Sequence, residues 1–419
     1  MDNQRQGTIG AWLPIIGCML TMTAVSGLSM SGLGVVVPEW IKTFSLSSGQ
    51  VMLVLTAISL LSGLFGICIG ALMGRFAPRT ILACGVVCSA LAMLAASQAH
   101  TYTALVLGMV PLAGLGNALT GPVVGQSLAV GTFKRPGLAI GVVSMGMAFG
   151  AIVGPPILAL LIAQQGWQSA MTTSAAIIAV LGAVAIVSLV GRVRLALPER
   201  GPGEANEPGI GTVSASSIAL SRAFIGAILF QFPLMALMAG SFFHLGLNFA
   251  ELGGDVTQAA GVMALASFIG LAGTFLAGWL VDRVSLVIMQ VAIVAIMGVA
   301  HVMLTFTPSI MLLPVAIVLL SLGNSFLYPL IPAVFARCFP SAAFARAIGM
   351  FQPILFGSIL GALILGVMHD MLGSYPATYM LLLPLFVPVM LGMVLLSTAL
   401  GSARKAAPAE VSAAGMSGL

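Results

Sequence analysis

Long apolar stretches separated by isolated charges define the pattern of this chain. One uncharged stretch lies between Arg5 and Glu39 and another between Lys42 and Arg75; each has room for a single membrane-crossing helix. The stretches from Arg79 to Lys134 and from Arg135 to Arg192 hold two each, broken at the polar segments Gln98 to Tyr102 and Gln164 to Gln168. A hydrocarbon core about 30 Å thick takes about 20 apolar residues per helix, so six helices are complete by Arg192. The second half repeats the count. Its helices lie between Arg222 and Glu251, Asp255 and Asp282, Arg283 and Arg337 (two, broken near Thr305 and Pro308), Arg346 and Asp370, and Asp370 and Arg404. Strands of a closed barrel would instead alternate apolar and polar residues over about 10 positions. The expected fold is all-α, a polytopic membrane protein of twelve transmembrane helices.

Composition narrows the function class. Of 419 residues, 60% are hydrophobic and 6% charged, with a mean hydropathy of +1.16. An ordinary soluble domain has about 25% charged residues, so a water-soluble enzyme is excluded. The formal net charge of +5 does not mark a nucleic-acid partner, because the basic residues come as singletons and pairs with no basic stripe. No Walker loop, nucleophile elbow or metal-ligand spacing occurs. The five cysteines form neither a CxxC nor a Cys/His cluster, and Cys84 and Cys88, on one face of helix 3, read as packing. The 25 methionines are scattered and read as gap-fillers rather than a soft-cation path. No cofactor or metal is expected.

With the N-terminus placed in the cytoplasm, Lys42 is the only one of the 15 Lys and Arg residues to fall outside. The positive-inside rule then puts both termini in the cytoplasm, and the expected location is the inner membrane of a bacterial cell. The first apolar run is too long for a signal-peptide core and is expected to stay as helix 1.

The two sets of six match each other at a near-constant offset. Gly70-Ala-Leu-Met-Gly74-Arg75 after helix 2 answers Gly278-Trp-Leu-Val-Asp282-Arg283 after helix 8, 208 positions on (70 to 278). Leu115-Gly116-Asn117 with Pro122 in helix 4 answers Leu322-Gly323-Asn324 with Pro329 in helix 10, 207 on (116 to 323). Ile140-Gly141 in helix 5 answers Ile348-Gly349 in helix 11, again 208 on (141 to 349). A repeat of an even number of helices keeps its orientation, so these are parallel repeats, with a substrate site expected where the halves meet. The expected organisation is a six-helix bundle over 1–192, a Pro/Gly-rich flexible cytoplasmic linker over 193–217, a second bundle over 218–403 and a disordered tail over 404–419.

Over essentially its whole length the chain resembles the Major Facilitator Superfamily. Gly70-xxx-Gly74-Arg75-xxx-Arg79 looks like that family's signature between helices 2 and 3, departing at Gly74, where the family usually places Asp; the partial copy keeps Asp282 and Arg283. The resemblance implies a cytoplasmic latch in which Arg75 and Asp282 pair with helix ends or with each other. Within the superfamily, Gly34-Val-Val-Val-Pro38-Glu39-Trp40, Phe44 to Gln50, and Gly141 to Gly154-Pro155-Pro156 leading to Gly166-Trp167 resemble monocarboxylate transporters and oxalate/formate exchangers. Those families place a substrate-binding Arg in helix 8, where the run from Val256 to Val281 is uncharged. Exchangers of dianions add a Lys in helix 11, where Gln352 is the most polar mid-helix residue.

The family's architecture lines the cavity with helices 1, 4, 7 and 10. Asn117 and Asn324 sit at the expected midplane on repeat-related positions, with Thr120 and Tyr328 one turn away on the same faces. Gln231 and His244 in helix 7 and Gln352 complete the candidate substrate site, and His301 in helix 9 is expected to be peripheral. Gly146, Gly150, Gly154 and Pro155 on one face of helix 5 read as a gate hinge allowing close backbone approach, with helix 8 as partner by family analogy. No carboxylate sits mid-helix, so no proton relay is visible. The expected function is a secondary transporter that moves a small organic solute (monocarboxylate-like, neutral or zwitterionic) by alternating access and works as a monomer in the bilayer. The alternatives are a multidrug or metabolite efflux antiporter and, from another class, a non-transporting receptor or sensor.

Overall fold

The computed structural model describes residues 2–73, 75–189, 214–254, 256–306 and 309–416. The expected linker lies outside these residues except at its end, where Ser214 caps a short helix, Ala215–Ala219; Gly74 and Asp255 also lie outside. Eleven helical runs are long and apolar enough to cross a bilayer. The longest, Gly137–Ser188, is two spans, because Gly166 at its centre takes φ 77, a left-handed conformation open to glycine, and the chain turns back there. Twelve crossings result, with no strand among the described residues.

Helix 1 consists of Asp2–Ser26, a π-helical turn Gly27–Ser31 and Leu33–Phe44. Helices 2 and 3 are Ser48–Leu72 and Pro78–Ser97. Helix 4 is Tyr102–Thr120 followed by Pro122–Thr132, and helices 5 and 6 share Gly137–Leu189. In the second half, helix 7 is Arg222–Phe243 with a short continuation Leu245–Glu251, helix 8 is Val256–Val281, helix 9 Leu286–Phe306 and helix 10 Leu313–Cys338. Helix 11 is Ser341–Gly357 and Leu360–Leu372, and helix 12 is Tyr375–Leu382 and Phe386–Met416. The last helix runs through the segment expected as a disordered tail; that segment is rich in alanine, the strongest helix former. Proline sets the break in helix 4, since Pro122 brings no N–H and starts a new segment. Large side chains such as Leu53, Leu107, Val180 and Leu363 are exposed on the outer surface, where hydrocarbon rather than water is the solvent.

Arg75, Arg79, Arg283, Arg337 and Arg346 mark one end of the molecule, here termed the basic face. On that side a single apolar core crosses between the halves, joining Ile69, Met73, Ile140 and Val143 to Phe335, Phe344 and Ile348. On the opposite side the first half keeps a separate core around Leu33, Trp40, Val54 and Met171. The outer segments Leu33–Phe44, Leu245–Glu251 and Leu360–Leu372 pack chiefly against their own halves. The halves therefore meet at the basic face and part towards the other.

Two glycine seams hold that meeting. On helices 5 and 8, a Cβ at Gly141 would sit 2.8 Å from the Cα of Gly278, and the reverse holds equally. On helices 2 and 11, a Cβ at Gly349 would sit 2.9 Å from the backbone N of Gly70 and 2.7 Å from the Gly66 carbonyl. The pairs exchange under the 208-residue repeat: 70 maps to 278 and 141 to 349. The helix 5–8 seam carries a further tie. Asp282 accepts from the backbone N–H of Gly137 at 3.0 Å and of Leu138 at 3.1 Å, capping helix 5 from the other half where the helix dipole favours a carboxylate. Arg337 donates to the Val281 carbonyl at 3.1 Å, holding the end of helix 8.

A valine at Gly278 overlaps the backbone of helix 5 and is expected to disfavour the closed seam by about 1–3 kcal/mol, an equilibrium shift of about 5–150-fold. Labelling of an Ile348→Cys probe, buried at the seam, by an impermeant thiol reagent from the basic face should rise in the Gly278→Val background. Unchanged labelling rules out the seam as the closing contact.

Candidate functional site

Above the seams, between the halves, lies a cavity of about 340 Å³. The first half contributes Met30 from the π-helical turn, Ser59 from helix 2, and Met147, Ala148 and Ala151 from helix 5. The second half contributes Met235, Met238, Phe242 and Phe243 from helix 7, Ser267 and Thr274 from helix 8, and a stripe on helix 10. That stripe is Ser321, Asn324, Ser325 and Tyr328, spaced so that all four share one helical face. Leu355, Phe356 and Ser358 from helix 11 close the wall at the break in that helix. No Lys, Arg, His, Asp or Glu is among the described lining residues.

Of the residues singled out from sequence, Asn324 and Tyr328 line this cavity and the others do not. Asn117, although repeat-related to Asn324, is buried against helix 1, where its Oδ1 lies 3.1 Å from the Ser29 hydroxyl in the π-helical turn. Thr120 donates to the Gly116 carbonyl at 2.8 Å, and its methyl packs over Gly85 of helix 3. Gln231 lies behind the wall, donating to the Met235 sulfur at 2.9 Å. Gln352 is pressed on Gly66 in the helix 2–11 seam and donates to the Ile348 carbonyl at 3.4 Å.

His244 stands at the break after helix 7. Its Nε2 lies 2.9 Å from the Ala362 carbonyl and its Nδ1 3.1 Å from the Tyr375 hydroxyl. A carbonyl only accepts, so Nε2 carries the proton and Tyr375 donates to Nδ1. His244 thus ties helices 7, 11 and 12 together rather than facing solute. His301 is fully buried beside Tyr379, whose carbonyl lies 2.9 Å from its Nε2.

The gating residues divide in the same way. Gly146, Gly150 and Gly154 meet helix 1, not helix 8: Cβ atoms there would overlap the Met19 and Thr23 carbonyls and Gly27. The helix 8 contact is made by Gly137 and Gly141, which lie on a different face because five residues of helix turn the direction by about 140°. Pro155 follows that stripe in the helix interior, where its missing N–H deprives the Ala151 carbonyl of a partner. Asp282 bonds a helix end rather than Arg75. Arg75 and Arg79 are exposed, and Arg283 lies over the Trp279 ring at 4.2 Å. The serines and threonine of helices 8, 10 and 11 did not stand out from sequence, although Ser321 and Ser325 share the helical stripe of Asn324 and Tyr328. Nor did Arg337.

A family model described as Major Facilitator Superfamily matches residues 19–352 and again 249–416. The chain belongs to the Major Facilitator Superfamily. Relatives by sequence include Monocarboxylate transporter 13 of Bos taurus, 26% identical over 380 residues, covering 88% of this chain and 85% of that protein. The Rattus norvegicus protein of the same name is 25% identical, covering 88% and 84%. Among solved structures, the E. coli fucose:proton symporter FucP superposes with a TM-score of 0.72 at 16% identity, covering 92% of this chain and 98% of that one. The human organic anion transporter MFSD10 superposes with a TM-score of 0.70 at 14% identity, with the same coverage. Membership makes this protein a secondary transporter, near the monocarboxylate group in sequence.

Cavity and buried positions should separate on substitution. Loss of one solute hydrogen bond is worth about 0.5–1.5 kcal/mol, so Asn324→Ala and Tyr328→Phe are each expected to raise the transport KM about 2–10-fold with thermal stability retained. Asn117→Ala and Thr120→Ala should lower the melting temperature and leave KM unchanged. The reverse pattern in initial-rate and melting measurements rejects this assignment.

Proposed function

We infer that the protein carries a small organic solute, a monocarboxylate or a neutral or zwitterionic molecule of similar size, across the inner membrane of a bacterial cell. The observation that supports this most is the cavity between the halves. It is small, free of charged side chains among the described residues, and lined by a polar stripe on helix 10 opposite methionine and alanine from helix 5. A dianion would find no fixed cation there. The sequence relatives named as monocarboxylate transporters point to the same substrate class.

In this reading the basic face is cytoplasmic, as are both termini, and the present conformation faces outward. Residues 1–192 and 218–403 rock as two bodies joined through 193–217. Opening of the two glycine seams and closure of the outer segments deliver the solute inward. Asn324 and Tyr328 orient the solute, while Asn117, Gln231, His244 and Gln352 hold the walls. One copy of the chain contains the complete path, so it works as a monomer. Accumulation is driven by symport with a proton.

Uptake of labelled monocarboxylates into proteoliposomes, with and without an inward proton gradient, is expected to show saturable, gradient-stimulated entry of a short-chain acid. Broad drug resistance on overexpression with no acid uptake would assign efflux instead. Gradient-insensitive uptake would remove the symport.

A further inference from the structure

The serine and threonine hydroxyls of the cavity have one property in common. Ser59 donates to the Leu55 carbonyl at 3.0 Å, Ser267 to Met263 at 2.8 Å and Thr274 to Gly270 at 2.9 Å. Ser321 donates across to the Ala266 carbonyl of helix 8 at 2.6 Å, while Ser325 donates to Leu322 and Ser358 to Leu355, both at 2.7 Å. A hydroxyl has a single proton. Each of these is engaged by backbone, so only lone pairs remain for a solute.

Proline adds acceptors to the same wall. Pro155, Pro329 and Pro332 lack the N–H that would bond the carbonyls of Ala151, Ser325 and Tyr328 four residues back, and all three of those are lining residues. The side-chain donors left among the described lining residues are the Asn324 amide and the Tyr328 hydroxyl, which interact with each other one turn apart on helix 10.

An acceptor-rich lining discriminates between the two forms of a carboxylic acid. An ionised carboxylate only accepts, with about four lone-pair sites to fill, and a wall of acceptor oxygens without a cation leaves it uncompensated. The undissociated acid carries one donor and one acceptor. Its O–H matches the acceptor wall, its carbonyl matches Tyr328 or Asn324, and its alkyl group lies on Met147, Met235 and Phe242.

We propose that the cavity binds its substrate as the undissociated acid, so that the coupling proton travels on the substrate and not on a protein side chain. This rests on the monocarboxylate reading above and deepens it. One acid molecule takes up one proton on the outer side and releases it on the inner side, which gives one proton per solute with no relay residue. Tyr328 is the only titratable side chain among the described lining residues, and a phenol with a reference pKa of about 10 does not titrate between pH 5 and 7. His244, behind Phe243, has both ring nitrogens engaged by Ala362 and Tyr375.

The test is equilibrium binding to the purified full-length protein between pH 5 and 7, followed by intrinsic tryptophan fluorescence, with butyrate, butyramide and 1-propanesulfonate as probes. The bound form is a falling fraction of total butyrate, so its apparent Kd should rise about tenfold per pH unit. Butyramide, neutral at every pH, should bind with a pH-independent Kd, and propanesulfonate should neither bind nor compete. A flat butyrate Kd together with propanesulfonate competition overturns the proposal while leaving monocarboxylate transport standing. A butyramide Kd that tracks pH like that of butyrate assigns the titration to the protein and overturns it too. Absence of binding by all three probes, with native melting behaviour, removes the monocarboxylate reading itself.

Discussion

Backbone contact between glycines of opposite halves is the constraint on which the rest of this structure depends. Within a bilayer the hydrophobic effect does not drive helix to helix, so close approach and dispersion must do so. Gly141 on Gly278 and Gly349 on Gly70 bring helix axes nearer than any residue with a Cβ allows. The two seams lie at one end of the molecule, and the space above them is the cavity. Its floor therefore has one physical origin: a backbone contact tight enough to close the space and made without interlocking side chains.

The seams are equivalent by repeat but differ in chemistry. Asp282 caps helix 5 from across the interface, whereas the corresponding position of the first copy is Gly74, a residue with no side-chain acceptor. The cavity is asymmetric as well. Polar lining comes almost wholly from the second half, and the first half offers methionine, alanine and one serine. Asn117 and Asn324 illustrate how a repeat diverges. The same residue at the same depth supports a π-helical turn in one copy and faces the cavity in the other.

Much of this was legible along the chain. The twelve spans follow from uncharged length, because hydrocarbon thickness is fixed and backbone polar groups must be satisfied within each segment. The parallel repeat followed from three matched motifs, and the glycine pairs of two of them are the seam contacts themselves. Tyr328 and Asn324 were visible as polar residues on one face of a central helix. The partner of the Gly146/Gly150/Gly154 stripe was not, since spacing shows that a face permits close approach without showing which helix arrives; helix 1 does. His244 looked like a path residue and is a bridge, because the atoms of Ala362 and Tyr375 that engage it lie more than 100 residues away.

By itself the sequence determined the solvent, the number of crossings, the match between the two halves and the absence of charge from the middle of each span. These are properties of single segments, set by how many apolar residues in a row a bilayer demands. Only the tertiary structure decided which face of each helix meets the cavity and where each hydroxyl spends its proton. A polar side chain in a transmembrane helix has three outlets: its own backbone, a neighbouring helix or the solute. Rotation and packing of the neighbours choose among them, and no local pattern encodes that choice.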